Sequence, residues 1–355
     1  MELAIDMTRV ARFLVELLNT PSPTGYHHEA MAYVQKALES LDVPGLWVEE
    51  NTKGALVAAL KGERKDAPRA LAAHVDTLGA MVREVKSNGR LMLTQLGSYA
   101  WNAIEGEGVT VHCVNGGRRY RGTVQTVTPS VHTSEQMREG KRDDERMEVR
   151  LDARTSGREE TLALGIDVGD FVFIDPRVEV TDSGFVKSRF LDDKAGTAVI
   201  YGALLAMKQA GLRCAQKTTF LVTNYEEVGH GAATGIPDSV VELLVVDMAA
   251  STSGEHQNSD EYSVGICAKD SGGPYDLDMR RKLMRLCRQN SIPYRVDTYP
   301  HYGSDGTAFL HAGGDVRVGL VGPGVDASHA YERTHITSLE ATIRLVVHYL
   351  VDAEQ

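Results

Sequence analysis

The most suggestive chemistry in this sequence lies in a pair of adjacent carboxylates, Glu226 and Glu227, that follow a short apolar run. The run, residues 220–223, has the composition of a buried strand. In open α/β sheets, reactive side chains gather at the carboxyl ends of strands. Neighbouring residues there point in different directions, so one carboxylate could bind a metal ion while the other transfers protons. The alternative is a solvated pair without a chemical role.

A histidine and an aspartate, His74 and Asp76, stand in the same relation to another apolar run, residues 70–73. Side chains two positions apart lie on the same face of a strand. The imidazole of His74 can therefore bind a metal ion while the carboxylate of Asp76 orients the ring or tunes its binding. Because the motif is so short, a chance pairing is the alternative.

Three further acidic or imidazole side chains occur where predicted elements begin or end. Asp192 precedes a segment with the composition of a helix, and Asp247 ends an apolar run. His329 follows a predicted strand at 316–321 and a predicted turn at Gly322-Pro323-Gly324. Helix capping would account for one aspartate before a helix, but this sequence has two in succession at 192–193.

Together these positions offer the ligand chemistry of a hydrolytic site with two divalent ions. The candidate set is His74, Asp192, Glu226, Glu227, Asp247 and His329. Two ions about 3.5–4 Å apart need one shared carboxylate and about two further ligands each, which leaves one carboxylate as a general base. No cysteine belongs to the set, which suits catalytic Zn, Co or Mn better than a structural zinc ion.

Signatures of other reaction types are missing from the sequence. There is no GxSxG nucleophile elbow and no GxxxxGK[ST] phosphate-binding loop. The glycines of 229–235 lack the spacing of a dinucleotide-binding motif. Asp305 is expected to cap a short helix rather than to act as a nucleophile.

The elements that must position the candidate residues follow an α/β pattern. Apolar spacing predicts amphipathic helices at 10–18, at about 28–41 and near the C-terminus, and short apolar runs predict the strands between them. A chain of 355 residues also exceeds the usual size of one domain. We therefore expect an α/β fold with more than one domain.

The segment 78–180 has a different character from the rest of the chain. Apolar and polar residues alternate within it, Asn115-Gly116 predicts a hairpin turn, and no long helical period occurs. We predict that 78–180 is an inserted β-rich domain, and that 1–77 plus 181–355 form one discontinuous catalytic α/β domain.

Charge and composition restrict the partners and the location of the protein. The formal net charge of −11 argues against nucleic acid or an anionic membrane as the main partner. The four scattered cysteines form neither a metal knuckle nor a disulfide framework, so we predict reduced thiols and a cytoplasmic location. The sequence shows no signal peptide and no apolar run long enough to span a membrane.

Several sequence blocks, taken in order, resemble the M42 family of metallo-aminopeptidases, relatives of the tetrahedral (TET) aminopeptidases. The blocks are PSPTGY at 21–26, AAHVDTLGAMV at 72–82, LGIDVGDFVFIDP at 164–176, SRFLDDKAG at 188–196, NYEEVGHGAA at 224–233, VVDMA at 245–249, GSDGT at 303–307 and SHAYE at 328–332. Their order and spacing match over nearly the whole chain. The resemblance implies a mixed-sheet α/β/α catalytic domain of the zinc-aminopeptidase type with an inserted β-barrel-like domain.

The resemblance also implies two divalent metal ions per subunit, zinc before cobalt or manganese. One ion would be held by His74, Asp192 and Asp247. The other would be held by Asp192, Glu227 and His329. Asp192 would thus bridge the two ions. The ligands would come from both segments of the predicted catalytic domain, 1–77 and 181–355.

For catalysis, the resemblance implies Glu226 as the general base and Asp76 as the residue that orients His74. The sequence departs from the family's usual pattern around the last ligand, where it reads Ala327-Ser328-His329-Ala330-Tyr331-Glu332. A second histidine, His335, follows closely and is the alternative ligand. We favour His329, which follows the predicted strand, whereas His335 lies near the start of the terminal helix.

The function implied by the resemblance is release of N-terminal residues from short peptides. An amidohydrolase specialised for a modified dipeptide or an osmolyte-like amide is the alternative, because the stretch ASHAYERTH at 327–335 is similar to an osmolyte-associated side branch of the family. A non-catalytic assembly protein is disfavoured because every ligand position is filled. The resemblance further implies a homo-oligomer built from dimers, up to a dodecamer, through the inserted domain.

Overall fold

The computed structural model describes residues 3–251 and 256–354, and the outer limits of the predicted catalytic domain, residues 1 and 355, lie outside these ranges. The helices are α1 Met7–Leu18, α2 His28–Ser40, α3 Gln136–Glu139, α4 Arg158–Ala163, α5 Leu191–Gln209, α6 Leu277–Gln289, α7 Asp305–His311 and α8 Ile336–Val351. The strands are β1 Trp47–Glu50, β2 Leu56–Leu60, β3 Arg64–His74, β4 Gly79–Val85, β5 Leu91–Leu96, β6 Gly108–His112, β7 Arg119–Thr126, β8 Met147–Leu151, β9 Phe171–Ile174, β10 Glu179–Val180, β11 Phe185–Ser188, β12 Gln216–Thr223, β13 Glu242–Val246, β14 Ala249–Ser251, β15 Val264–Asp270, β16 Gly273–Pro274, β17 Tyr294–Thr298, β18 Arg317–Asp326 and β19 Glu332–His335.

One large mixed sheet organises the α/β part of the molecule. Its main path runs in the order β1-β2-β12-β3-β13-β18-β19-β11-β10. The central pairs β12–β3, β3–β13 and β13–β18 are parallel. Parallel strands end at the same edge of a sheet, so the residues that follow β3, β12 and β13 are brought together there.

Helix α5 packs tightly across this sheet and carries the first residues of the site. Its side chains from 191 to 207 are all buried, which is expected of a helix that is enclosed on every side. A Cβ at Gly196 would lie 2.1 Å from the backbone oxygen of Val246 on β13, so the helix approaches the sheet as closely as glycine allows. No helix in the described part of the chain is both long and apolar enough to cross a membrane.

A closed barrel forms the second unit of the structure. Its six strands lie in the order β4-β5-β8-β7-β6-β9. Alternate positions point into the barrel, as shown by the fully buried Val109, Val111 and Val124. The hairpin signal Asn115-Gly116 lies between β6 and β7, which pair antiparallel. The helices α3 and α4, which connect barrel strands, are short.

The mixed α/β sheet and the separate six-stranded barrel confirm the predicted fold class. The barrel strands occupy residues 79–174 of the chain. The division into a catalytic domain, 1–77 plus 181–355, and an inserted domain, 78–180, stays a prediction about which parts fold as units.

The turn predicted at Gly322-Pro323-Gly324 is wrong, because these residues lie inside strand β18 and pair in part with β15. The glycines are needed for close packing rather than for a turn. A Cβ at Gly322 would lie 1.4 Å from the backbone oxygen of Asp247, and one at Gly324 would lie 1.8 Å from that of Asp260. Only glycine fits where another backbone approaches so closely.

The close approach of α5 to β13 generates a stability prediction. We expect Gly196→Ala to lower the free energy of unfolding by about 3 kcal/mol, because the added methyl group meets backbone atoms that cannot move aside. Gly202→Ala on the same helix is the matched control. Its methyl group meets the side-chain ends of Ile343 and Val10, which can shift, and alanine favours the helix by roughly 1 kcal/mol.

Unfolding in urea, followed by circular dichroism, measures both variants. Equal losses of stability in the two variants would contradict the prediction that the close contact between α5 and β13 makes Gly196→Ala the more destabilising change.

Candidate metal centre

The candidate residues lie at the sheet edge where the parallel strands end. His74 is the last residue of β3, Asp247 follows β13 directly, and Glu226 and Glu227 lie three and four residues beyond the end of β12. The sheet therefore delivers one imidazole and three carboxylates to a common place. The remaining two candidates come from outside these strands, Asp192 from the first turn of α5 and His329 from the loop between β18 and β19.

Asp192 lies at the centre of the group, with each carboxylate oxygen facing a different imidazole. Its Oδ1 is 3.1 Å from Nε2 of His74, and its Oδ2 is 3.3 Å from Nε2 of His329. The same His329 nitrogen is 3.5 Å from Oε2 of Glu227. Burial alone would raise the pKa of Asp192, but hydrogen bonds with His329 and His74 lower it well below its usual range.

Two sets of three side chains have ligand atoms within 4.8 Å of one another at this place. The first set is His74, Asp192 and Glu227, and the second is His74, Asp193 and Asp247. Each set combines imidazole nitrogen with carboxylate oxygen, which is the donor chemistry of a catalytic zinc, cobalt or manganese site.

Asp193, the second of the two aspartates that precede the predicted helix, is fully buried beside the site. Its Oδ1 accepts a hydrogen bond from the backbone N–H of Gly196 at 2.9 Å, as a capping residue does. Its Oδ2 accepts one from the backbone N–H of His74 at 3.2 Å. Asp193 therefore links the start of α5 to the end of β3, while Asp192 faces the two imidazoles.

Glu226 lies against the same group but has a different environment from Glu227. Its Oε2 is 3.6 Å from Nε2 of His74, and it borders the large cavity described below. Burial raises the pKa of Glu226 well above its usual value, with Asp247 adding to the effect and His74 opposing it. A carboxyl group with a raised pKa at the wall of a cavity is suited to accept and release protons.

Asp76 anchors the loop that carries the two glutamates. Its carboxylate accepts hydrogen bonds from the backbone N–H of Glu226 at 3.1 Å and of Glu227 at 3.3 Å, and from the hydroxyl of Thr24 at 2.7 Å. Nδ1 of His74 lies 2.9 Å from the backbone oxygen of Asp76 but 3.6 Å from its carboxylate. Of the two groups of Asp76, it is therefore the backbone oxygen, and not the carboxylate, that lies at hydrogen-bond distance from the His74 ring.

Glu332 is a buried carboxylate that the sequence analysis did not single out. One of its oxygens accepts a hydrogen bond from the backbone N–H of Asp192 and the other from that of His329, both at 3.1 Å. Burial raises the pKa of Glu332 to about 8, and nearby Asp192 adds to the effect. The only sequence signal for this residue was its position three places after His329, within the block SHAYE.

Asp305 does not cap its helix, so this expectation is wrong. The side chain of Ser304 caps α7 by accepting hydrogen bonds from the backbone of residues 306 and 307. The buried carboxylate of Asp305 instead accepts hydrogen bonds from the hydroxyl of Thr223 at 2.6 Å and the N–H of Ala232 at 2.7 Å. Asp305 thus holds the two ends of the loop that carries Glu226 and Glu227.

His335, the alternative last ligand, has both ring nitrogens occupied elsewhere. Nδ1 is 2.8 Å from the hydroxyl of Thr337 and Nε2 is 2.9 Å from the backbone oxygen of Ser183. The residue caps α8, and its ring packs against Phe185. The structure therefore brings His329, and not His335, next to Asp192.

The charge balance of the site fits divalent cations. Burial raises the pKa of Glu227 well above its usual value and that of Asp247 to about 7, in both cases with a further contribution from Asp192. The Oε1 atom of Glu227 is buried and has no hydrogen-bond partner among residues 3–251 and 256–354. Buried carboxylates are costly unless a positive charge compensates them, and bound divalent ions supply that charge.

A cavity of about 920 Å³ opens onto these residues. Its lining includes the acidic residues Glu226, Glu227 and Asp247 and the aromatic residues Tyr299 and Tyr302. The hydroxyl of Tyr302 donates a hydrogen bond to the backbone oxygen of Met248 at 3.0 Å, next to Asp247. The cavity is large enough for a small organic molecule.

Comparisons with known proteins identify a family and a shared fold. A family model for the M42 glutamyl aminopeptidases matches residues 54–345. The chain is 43% identical over 345 residues to "Putative aminopeptidase YhfE" of Bacillus subtilis (strain 168), covering 97% of this chain and 98% of that protein. Its fold is similar to that of a TET aminopeptidase from a marine sediment Thaumarchaeota archaeon, with a TM-score of 0.86, 18% identity and 96% of each chain covered. It is also similar to the TET1 peptidase of Pyrococcus horikoshii, with a TM-score of 0.83, 19% identity, and 97% of this chain and 99% of that chain covered.

The two hydrogen bonds of Glu332 lead to a test of the site. We expect Glu332→Gln to weaken zinc binding by roughly 10–100-fold, because an amide nitrogen would face one of the two N–H donors and displace Asp192 or His329. The free energy of unfolding should fall by about 1–3 kcal/mol.

Glu261→Gln is the matched control for this test, since Glu261 is also a buried glutamate but pairs with Arg333 on β19. Zinc titration calorimetry measures both variants. An unchanged zinc affinity in Glu332→Gln would contradict the positioning of the ligands by this carboxylate.

Proposed function

The chain belongs to the M42 glutamyl aminopeptidase family, and we propose that it is a dinuclear metal-dependent aminopeptidase that releases N-terminal residues from short peptides. One observation carries the proposal: the two carboxylate oxygens of Asp192 face the imidazoles of His74 and His329, one on each side. A carboxylate between two imidazoles is the arrangement that a bridging ligand of a two-metal site requires. Family membership supports the hydrolysis of peptide bonds as the reaction.

We assign the ligands as two groups that share Asp192. The first ion would be held by His74, Asp192 and Asp247, and the second by Asp192, Glu227 and His329. Asp193 is close enough to join the first group, but its oxygens already accept hydrogen bonds from the backbone of His74 and Gly196. Oε1 of Glu227 has no hydrogen-bond partner in the described part of the chain, which supports the assignment of Glu227 as a ligand of the second ion. The nitrogen and oxygen donors accept zinc, cobalt or manganese, and zinc is the first choice.

The catalytic step depends on proton transfer by Glu226. When bound, two divalent ions lower the pKa of an attacking water and polarise the carbonyl group of the scissile bond. Glu226 accepts the proton of that water and then donates it to the nitrogen of the departing amine, so the carboxylate is regenerated in each cycle. The Asp76 carboxylate accepts hydrogen bonds from the backbone N–H groups of Glu226 and Glu227. These bonds fix the position of the base, Glu226, relative to the proposed ligand Glu227.

Substrate recognition would use the acidic end of the cavity. A free α-amino group is a cation, and the carboxylates of Glu226, Glu227 and Asp247 line the cavity wall. Docking the amine there places the first peptide bond beside the base and accounts for cleavage at the N-terminus. The cavity of about 920 Å³ has room for only a few residues, which favours short peptides.

We propose a cytoplasmic location on the basis of the cysteines. All four, Cys113, Cys214, Cys267 and Cys287, are buried free thiols. Reduced cysteines with no disulfide are typical of proteins of the cytoplasm.

The function is tested by hydrolysis of aminoacyl-p-nitroanilides and free dipeptides by metal-stripped protein, with and without added zinc or cobalt. We expect release of N-terminal residues only after metal is added. Glu226→Gln should lower kcat by roughly 10²–10⁴-fold while two metal ions still bind, because the variant lacks the base and keeps the ligands. Glu261→Gln serves again as the control and should retain activity.

Two outcomes would overturn parts of the proposal. Activity that persists in Glu226→Gln would exclude this residue as the base. Binding of two ions without hydrolysis of any aminoacyl substrate, but with hydrolysis of N-blocked dipeptides, would instead indicate an amidohydrolase for a modified dipeptide or an osmolyte-like amide.

We further propose that the protein is a homo-oligomer built from dimers, with a dodecamer as the largest expected form. The TET1 peptidase of Pyrococcus horikoshii, a structural neighbour, assembles into a tetrahedron or a large octahedral shell. Light scattering coupled to gel filtration should give a mass that is an even multiple of the 38.7 kDa chain. A monomer mass at micromolar concentration would contradict the proposal.

A further inference from the structure

The loop that carries His329 has little support of its own. Ala327 and His329 both adopt left-handed backbone conformations, with φ angles of 57° and 62°. Residues other than glycine rarely adopt such angles unless surrounding contacts hold them. The side chain of His329 is also 37% exposed, whereas those of His74 and Asp192 are 1% and 7% exposed. His329 therefore depends on neighbouring elements more than the other proposed ligands do.

The barrel contributes one of these neighbouring contacts. Nδ1 of His329 lies 2.6 Å from the backbone oxygen of Ser98, which belongs to the segment between the barrel strands β5 and β6. A proton on Nδ1 that is donated to this carbonyl leaves Nε2 free to bind a metal ion. That Nε2 atom is the one that faces Asp192 and Glu227.

Arg189 ties the same loop to the same barrel segment. Its guanidinium group donates to the backbone oxygen of Ala330 at 3.0 Å and to that of Ala103 at 2.8 Å. It also forms an ion pair of 2.9 Å with Glu107, directly before barrel strand β6. Arg189 is 3% exposed and Glu107 is 8% exposed, so the pair is shielded from water and its geometry is well defined.

Arg177 completes the cluster from the segment between β9 and β10, which leaves the barrel. Its guanidinium group lies 2.5 Å from Glu107 and stacks on the ring of Tyr331, with 4.4 Å to the ring centroid. The hydroxyl of Tyr331 donates to the backbone oxygen of Arg177 at 2.8 Å. We refer to Glu107, Arg177 and Arg189 as the Arg189 clamp. It holds residues 330 and 331, immediately beyond His329.

We propose that the Arg189 clamp positions His329 and makes the second metal site depend on the barrel. The residues of the clamp are positioning residues, since none of them borders the cavity that opens onto the site. The first metal site depends less on the barrel, because its two unshared ligands, His74 and Asp247, are held at the ends of sheet strands. The inference rests on the proposed function, in which His329 is a ligand of the second ion.

The experiment compares metal binding by clamp variants of the full-length protein. In Arg189→Met, both hydrogen bonds to the loop and the barrel are lost, and Glu107 remains buried without Arg189. The double variant Glu107→Gln/Arg189→Met removes both charges of the buried pair, and Arg177, the other partner of Glu107, is exposed to solvent. We therefore expect the double variant to fold even if the single variant does not. Circular dichroism and thermal unfolding establish which variants fold.

Zinc and cobalt are titrated into metal-stripped protein, and bound metal is measured by mass spectrometry after gel filtration. We expect the wild type to bind two ions per chain. In the clamp variants the second ion should bind at least tenfold more weakly, while the affinity for the first ion stays within about twofold. The absorption bands of bound cobalt should change for the second equivalent only. In activity assays, kcat should fall more than KM rises.

Arg121→Met/Asp175→Asn is the matched control. It removes another salt bridge of the barrel, formed by two contacts of 2.7 and 2.5 Å that do not involve the loop of His329. This control should bind two ions with wild-type affinity.

Two failures can be told apart. A folded clamp variant that binds both ions like the wild type, or that loses both equally, would overturn the inference while the proposed function stands. A wild-type protein that binds fewer than two ions would refute the proposed dinuclear site itself.

Discussion

The burial of several carboxylates around Asp192 is the constraint on which the rest of this structure depends. Glu226, Glu227 and Asp247 lie within the same water-poor region, and burial raises the pKa of each. Mutual repulsion would push these groups apart unless the backbone held them and cations compensated their charge. The sheet, helix α5 and the barrel together hold this group of carboxylates in place.

The contacts that hold these residues in place are made largely by other carboxylates, which accept hydrogen bonds from backbone N–H groups. Asp76 holds the two glutamates, Asp193 joins α5 to β3, and Glu332 joins Asp192 to His329. Each of these acids uses both of its oxygens, so its position is defined in two directions. Such outer contacts orient ligands without binding the ion themselves, and they make a rigid site from residues that lie far apart in the chain.

The two units of the molecule contribute unequally to the site. The α/β sheet supplies the strand ends that carry His74 and Asp247. The barrel supplies the backbone oxygens of Ser98 and Ala103, which fix the His329 loop. Structural neighbours below 25% identity share this fold with the chain, and a shared fold does not by itself determine the activity.

The sequence by itself determined the fold class and the set of candidate residues. His74, Glu226 and Asp247 stand at or shortly after the ends of strand-like runs, and they became candidates because parallel strands deliver their ends to one edge. It did not reveal Glu332, which acts on Asp192 across 140 residues, or Ser98, which lies 231 residues from His329. The sequence pattern also predicted a turn at Gly322 and Gly324. The structure shows instead that glycine is needed at both positions because other backbone segments approach closely. Local sequence patterns indicate periodicity and helix capping. The contacts of Glu332, Ser98 and the two glycines form only when distant segments pack together, so they were determined by the tertiary structure alone.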